Sequence, residues 1–291
     1  MNDILLSKSQ LAGEKYLPKR SLRDPGRFCV PGSPSAPFRM PVSSGRTGGR
    51  AFPPTRQSVV AATRGDDADA RRAAFEVLIA LYWRSVYSHL RMKWRAQPAD
   101  AEDLAQEFFA RAMARGFFDD YDPARARFRT FLRTCLDRFA ANARRGERRL
   151  KRGGGAKALS LDFAGAERDL AAATTAAAPE PDGDAWFDRE WVRSLFADAV
   201  EALRAECAGT PREIRFRVFE RHDLAPGDGT PRPGYRALGE ELGLPVTQVT
   251  NHLAWARREL RRLVLDRLRS LSGSDAEFRA EAEDLFGVRI P

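Results

Sequence analysis

The stretch FRTFLRTCLDRFAANARRGERRLKR, residues 128–152, constrains the fold more than any other part of the chain. Its apolar residues Phe128, Phe131, Leu132, Cys135, Leu136, Phe139, Ala140 and Ala143 recur at steps of three and four, the period of a helix with one buried stripe. Asp122 followed by Pro123 is an entry signal, and Gly153 to Gly155 is an abrupt stop. Toward its end the helix carries Arg144, Arg145, Arg148, Arg149, Lys151 and Arg152 against Glu147 alone. One or two cations satisfy a helix macrodipole, whose effect fades beyond the last turn. So one-sided a cluster suits a phosphate-facing helix better, because guanidinium groups stay charged, pair bidentately with phosphate and release condensed counterions.

The net charge of the whole chain, +9 over 291 residues, agrees with a polyanionic partner. No apolar run approaches the roughly 18 residues of a spanning helix, and MNDILLSKSQLAGEKY lacks the apolar core of a signal peptide. The expectation is a cytoplasmic protein without membrane contact. Cys29, Cys135 and Cys207 are odd in number and far apart, which predicts reduced thiols. His89, His222 and His252 are scattered without ligand spacing, so no metal site and no cofactor are expected.

Residues 1–50, rich in Pro, Gly, Ser and Arg, read as a disordered basic arm. A first helical unit covers 51–152. SVVAATR ends at Gly65, Asp66 or Asp67 caps a helix striped by Phe75, Leu78, Ile79, Tyr82, Trp83, Val86 and Leu90, and Pro98 with Asp100 opens AEDLAQEFFARAMAR. That last helix buries Leu104, Ala105, Phe108, Phe109, Ala112 and Met113 and leaves Asp103, Gln106 and Glu107 together on its other side. Residues 153–184, dominated by Gly, Ala, Thr, Pro and Asp, read as a flexible linker.

A second helical unit, 185–271, contains one helix lined by Trp186, Val192, Leu195, Phe196, Ala199 and Leu203 and another lined by Ile214, Val218 and Phe219. It closes with a short helix through Leu238 and Leu242, a turn at Gly243, and a helix from Pro245 striped by Val246, Val249, Leu253, Ala256 and Leu260. Two helices around a tight Gly-containing turn, the second rich in arginine, form a helix-turn-helix signature. In such a unit Thr247, Gln248, Thr250, Asn251 and Trp255 would meet base edges or phosphates in the major groove. Arg257, Arg258, Arg261 and Arg262 would lie toward the DNA backbone. Residues 272–291 form a C-terminal amphipathic helix, with Phe278, Leu285 and Phe286 packed on its own domain. The expected architecture is therefore all-α: two small helical domains on a flexible linker.

From about Phe52 to Arg269 this order resembles bacterial RNA polymerase sigma factors of the extracytoplasmic-function group of the sigma-70 family. The resemblance rests on FPPTRQSVV, DAEDLAQEFFARAM, the YDP entry, FRTFLRTCLDRFAANARRGERR and LGEELGLPVTQVTNHLAWARREL. It implies a region 2-like bundle, a region 4-like helix-turn-helix, and partners in core RNA polymerase, promoter DNA and an anti-sigma factor. By this resemblance Asp103, Gln106, Glu107 and Phe108 would meet the clamp coiled coil of the largest polymerase subunit. Arg129, Thr130, Arg133, Arg138 and Asn142, with Arg144, Arg145, Arg148 and Arg149 beyond them, would lie along the minus-ten strand, and region 4 would read the minus-thirty-five element. Thr134 and Cys135 stand where primary sigma factors carry the tryptophans of the melting helix, which implies weaker melting and dependence on a close promoter match. Pro245, Thr250, His252 and Trp255 depart from the family's usual recognition helix. The rival reading is a helix-turn-helix regulator that does not bind core polymerase. An enzyme is not expected, since the carboxylates of DDYD and PDGD sit in turn-like and linker-like segments.

Overall fold

The computed structural model describes residues 58–114, 116–145, 160–176, 182–224 and 232–287. The basic arm, Cys29, Arg148, Arg149, Lys151 and Arg152 lie outside them. The described residues form ten α-helices and no strand: α1 Val59–Ala62, α2 Ala68–Met92, α3 Pro98–Ala112, α4 Phe128–Arg144, α5 Phe163–Ala176, α6 Gly183–Cys207, α7 Glu213–Asp223, α8 Tyr235–Leu242, α9 Val246–Leu271 and α10 Asp275–Phe286.

Most helix starts follow from local chemistry. Asp67 caps α2 by accepting from the backbone N–H groups of Asp69 and Ala70 at 3.0 and 3.2 Å, and Pro98 occupies the first turn of α3, where its missing N–H costs nothing. Ser274 caps α10 by accepting from Glu277 N. Helix α4 starts differently. Its N-cap residue Arg127 makes no side-chain cap, and the first helical N–H, that of Phe128, donates instead to Glu277 Oε1 of α10 at 2.6 Å. A residue 149 positions away thus caps α4.

Two cores organise the packing. The larger one gathers Phe75, Tyr82, Val86 and Tyr87 of α2, Phe108 of α3, Phe128, Leu132 and Leu136 of α4, and Phe187, Trp191 and Leu195 of α6. It also takes in Val264, Leu268 and Leu271 of α9 and Phe278, Ala282, Leu285 and Phe286 of α10. The smaller one joins Val200, Leu203 and Cys207 of α6, Phe216, Val218 and Phe219 of α7, Leu238 of α8 and Val249, Leu253 and Ala256 of α9. Helices α6 and α9 therefore contribute one half to each core. At 25 and 26 residues they are each about 38 Å long, and they couple the two cores, α6 running from the larger to the smaller and α9 back again.

This arrangement corrects three expectations. Part of the linker is a packed helix: α5 buries Phe163, Ala166 and Leu170, while its Glu167 accepts from Tyr87 Oη at 2.7 Å and pairs with Arg91, and its Asp169 pairs with Arg84. Alanine, read as linker composition, is the strongest helix former, and Phe163 with Leu170, seven residues apart, supplies a buried side. The second unit does not stand apart, because α6 lays its first half on α2. Gly183 permits that approach, since a Cβ there would fall 2.3 Å from Cβ of Lys93. Finally, the C-terminal helix α10 packs into the larger core instead of onto the second unit alone.

Candidate nucleic-acid interface

The exposed side of α3 carries the acidic cluster. Ala101, Ala105, Phe108, Phe109 and Ala112 are buried, which turns Asp103, Gln106 and Glu107 outward with partial or full exposure. Glu107 pairs with Arg111 one turn on at 2.9 Å, and Gln106 Nε2 donates to Glu102 at 3.4 Å. Phe108, expected at the same surface, is 0 % exposed. Its ring packs edge-on against Phe139 and Phe117 at 5.4 and 5.8 Å. The three-and-four spacing that makes it part of the apolar stripe removes it from any partner's reach.

Helix α4 has three sides. Phe128, Leu132, Leu136, Phe139 and Ala140 face the core. A second side, Arg129, Arg133 and Asp137, faces the start of α6. Arg129 is 5 % exposed; its Nε donates to Glu281 Oε1 at 2.8 Å, its Nη1 to Asp188 at 3.3 Å, and its guanidinium lies 4.9 Å from the Trp191 ring centre. Arg133 reaches Asp188 at 3.4 Å and Asp184 at 3.9 Å, and Arg127, just ahead of the helix, pairs with Asp284 and Glu281. The third side is open: Thr130, Thr134, Arg138, Asn142 and Arg145, with Thr130 half-buried and the others exposed. Arg144 folds back, donating to the Trp94 carbonyl at 3.2 Å with its guanidinium over the same ring.

The sequence-predicted DNA face of α4 is thus divided. Thr130, Arg138, Asn142 and Arg145 share an open strip, whereas Arg129 and Arg133 are taken up by carboxylates. Residues not singled out in the sequence supply acids along this side: Asp188 on α6 meets both arginines, and on α10 Glu277 takes the Phe128 N–H, Glu281 takes Arg129 and Asp284 takes Arg127. The steps of four and three in SDAEFRAEAEDLFG place those last three on one helical side, a signal legible once a cationic neighbour is known. Burial pushes the Glu281 carboxyl up to about 7, against the pull of Arg129 and Arg127. Burial likewise pushes the Cys135 thiol up to about 11, which keeps it unreactive near neutrality.

At the α2–α4–α6 junction, His89 is completely buried with Nε2 2.8 Å from Asp137 Oδ1 and Nδ1 3.3 Å from the Gly183 carbonyl. Lys93 Nζ donates to Asp137 and Asp184 at 3.0 and 2.8 Å, and Trp94 Nε1 donates to Asp137 at 2.8 Å. Burial opposes charge on Asp137, but the donors His89, Lys93 and Trp94 outweigh it and hold its carboxyl well below the usual range. His89, Asp137 and Asp184 lie close enough to share an ion, yet the Lys93 ammonium already bridges the two carboxylates. The geometry describes a structural clamp.

The α8–α9 turn is tight. Leu242 gives way to Gly243 at φ +66°, and Leu244 N–H donates to the Gly239 carbonyl at 2.8 Å. A Cβ on Gly239 would fall 2.6 Å from the Leu244 carbonyl oxygen. Beyond it, Val249, Leu253 and Ala256 point into the smaller core, and Thr247, Gln248, Thr250 and Asn251 are exposed. Trp255 is half-buried beneath Arg215, whose guanidinium is 5.0 Å from the ring. Among the arginines expected toward a DNA backbone, Arg258 is exposed. Arg257 is bidentate to Asp223 at 2.8 and 3.0 Å, Arg261 lies over Phe286, and Arg262 pairs with Glu206, Glu259 and Asp266. Arg257 therefore ties α9 to α7, the reverse of a free phosphate contact. Burial disfavours the Asp223 charge, but hydrogen bonds from His222 and Arg257 bring its carboxyl down to about 2.

No described helix is long and apolar enough to cross a membrane. Residues 78–150, from the middle of α2 to just past α4, match the family model for sigma-70 region 2. No curated protein and no solved structure matches the chain.

Proposed function

We propose, taking residues 78–150 as a sigma-70 region 2 domain that supports a sigma-70 family factor, that the chain is an extracytoplasmic-function-type promoter-specificity subunit of RNA polymerase. The carrying observation is the adjacency, within that matched segment, of an outward carboxylate and amide cluster on α3 and an open polar and cationic strip on α4. In this reading Asp103, Gln106 and Glu107 meet the clamp coiled coil of the largest polymerase subunit. The strip Thr130, Thr134, Arg138, Asn142 and Arg145 follows the minus-ten strand, with arginines on phosphates and the short polar side chains near bases. The exposed Thr247, Gln248, Thr250 and Asn251 at the start of α9 enter the major groove at the minus-thirty-five element, and Arg258 contacts its backbone. The chain performs no chemistry of its own; it works by positioning. An anti-sigma protein is a natural regulator of such a factor.

Run-off transcription with purified core polymerase tests this. The expected result is discrete start sites that core enzyme alone does not use, lost on Asp103→Lys with Glu107→Lys. The turn between α8 and α9 lies outside the matched segment and favours the second reading, a DNA-binding regulator independent of polymerase. In that case the double charge reversal leaves transcription unchanged while DNA binding persists.

A further inference from the structure

We propose that the DNA element taken by the start of α9 consists of A·T pairs, with adenine edges met by Gln248 and Asn251, thymine methyls met by Val246 and Thr250, and no direct contact to guanine or cytosine. This rests on the reading of α9 as the major-groove helix and adds the class of sequence that this helix can select.

Residues 242–256 contain no Asp, Glu, Lys or Arg. In the major groove guanine shows two acceptors, O6 and N7, to which Arg or Lys donates, and cytosine shows an N4 donor, from which Asp or Glu accepts. Both kinds of side chain are missing from Val246 through Ala256. The nearest cations are occupied or set back: Arg215 lies over the Trp255 ring, Arg257 is bidentate to Asp223, and Arg258 stands two turns beyond Asn251. Burial, with Arg215 alongside, lowers the His252 ring below its ordinary value, so this half-buried side chain adds no charge at neutral pH.

What the helix start does present fits adenine and thymine. An Asn or Gln amide, donor beside acceptor, pairs bidentately with adenine N6 and N7. Gln248 and Asn251 are both exposed, and three residues apart they are neighbours on the helix surface. Thymine is marked by its C5 methyl, which takes an apolar contact. Val246 supplies one. Its three-residue step to Val249 predicts a place in the buried stripe, yet it is 44 % exposed and turned away from the smaller core that Val249 and Leu253 enter. Thr250, one turn further, donates its hydroxyl to the Thr247 carbonyl at 2.9 Å, so that hydrogen is spent within the helix while the methyl remains for a base. A single exposed valine is ordinary. Beside two exposed amides, on a helix start held out by the tight α8–α9 turn, Val246 and Thr250 complete the pattern of an A·T edge, which shows adenine N7 and N6 at one end and the thymine methyl at the other.

The test is selection from DNA duplexes carrying a randomised block, by the full chain alone and by the full chain with core polymerase, each read against core polymerase alone. The expected pool is enriched in a run of A·T pairs. Asn251→Arg is expected to exchange one selected adenine for guanine, with a preference of about tenfold. Replacing thymine by deoxyuridine in the selected duplex removes only the methyl and is expected to weaken binding about threefold per contacted base, a loss that Val246→Ala abolishes at its own position. Val246, Gln248 and Asn251 are exposed, so these variants leave the core intact. Indifference to deoxyuridine overturns the methyl contacts. An enriched element with G·C pairs at the positions that Gln248→Ala or Asn251→Ala relaxes overturns the A·T reading and leaves α9 as the recognition helix. An enriched element that none of these variants alters takes α9 out of the major groove and overturns both. A pool without enrichment in either selection overturns the A·T reading and the promoter-binding function together.

Discussion

Helices α4 and α9 were both candidates for contact with nucleic acid, and they spend their arginines differently. On α4 the arginines nearest the N-terminus are opposed by carboxylates from α6 and α10, and an open strip of Thr130, Thr134, Arg138, Asn142 and Arg145 runs beside them. On α9 the exposed N-terminal residues are uncharged, and Arg257 and Arg262 are held by neighbouring acids. An arginine in a helix is therefore a weak indicator of a binding surface by itself. What decides is whether another element brings a carboxylate to it, as α6 does with Asp188 and α10 with Glu281.

The sharpest way to break this comparison lies on one helix. Arg129→Ala leaves Glu281 and Asp188 buried without their partner, and urea unfolding should show a loss of about 3–5 kcal/mol. Arg138→Ala, one strip away and exposed, should stay within about 0.5 kcal/mol. Similar costs for the two would dissolve the division of α4 into closed and open sides.

Helix α3 offers a comparable contrast. Phe108→Ala opens a cavity in the larger core and should cost about 3–5 kcal/mol, whereas Asp103→Lys should leave the unfolding midpoint nearly unmoved and act on partner binding alone. A folded Phe108→Ala protein of parental stability that fails to bind polymerase would return Phe108 to the surface role suggested by the family resemblance.

The pH dependence of stability separates the Glu281 carboxyl from the rest of the core. Glu281 holds its proton more tightly in the folded chain, so its contribution is complete below about 4.5 and is lost as the pH rises through about 7. The groups facing it are Arg127 just ahead of α4, Arg129 on α4, Glu277 and Asp284 on α10, and Tyr82 on α2. Thermal unfolding should show parental stability falling from pH 5 to pH 7.5 by up to about 3 kcal/mol, a slope that Glu281→Gln removes. Asp223 has the opposite sign: the stability it provides is present above its ordinary value and disappears only as the pH falls through about 2, outside that window. A slope that survives Glu281→Gln would assign the titration to another group.

The smallest effect belongs to the α8–α9 turn. Gly239→Ala forces a methyl against the Leu244 carbonyl and should cost about 1–3 kcal/mol. Because the smaller core is coupled to the larger through α6 and α9, a single cooperative transition shifted to lower temperature is expected. Two separate transitions would show that α6 and α9 do not bind the cores into one unit.

Much of this was readable from local pattern. The three-and-four spacing of Phe128, Leu132, Leu136 and Phe139 set α4, Asp67 and Pro98 marked two helix starts, and Gly243 marked the turn before α9. The α3 carboxylates emerged on the outer side because the same spacing turned Ala105 and Phe109 inward. Two expectations fail for different reasons. Composition marks residues 153–184 as a tether, yet residues 163–176 form α5, and the family resemblance puts Phe108 at an outer surface that its own stripe excludes.

The sequence alone determined the starts of α2 and α3 and the apolar stripes of α2, α3, α4 and α9, because capping, propensity and periodicity act over a few residues. Only tertiary structure decided which cations remain available. The partners of Arg129 lie 59 and 152 positions further along the chain at Asp188 and Glu281, and no local pattern encodes a pairing that exists only after α6 and α10 have packed against α4.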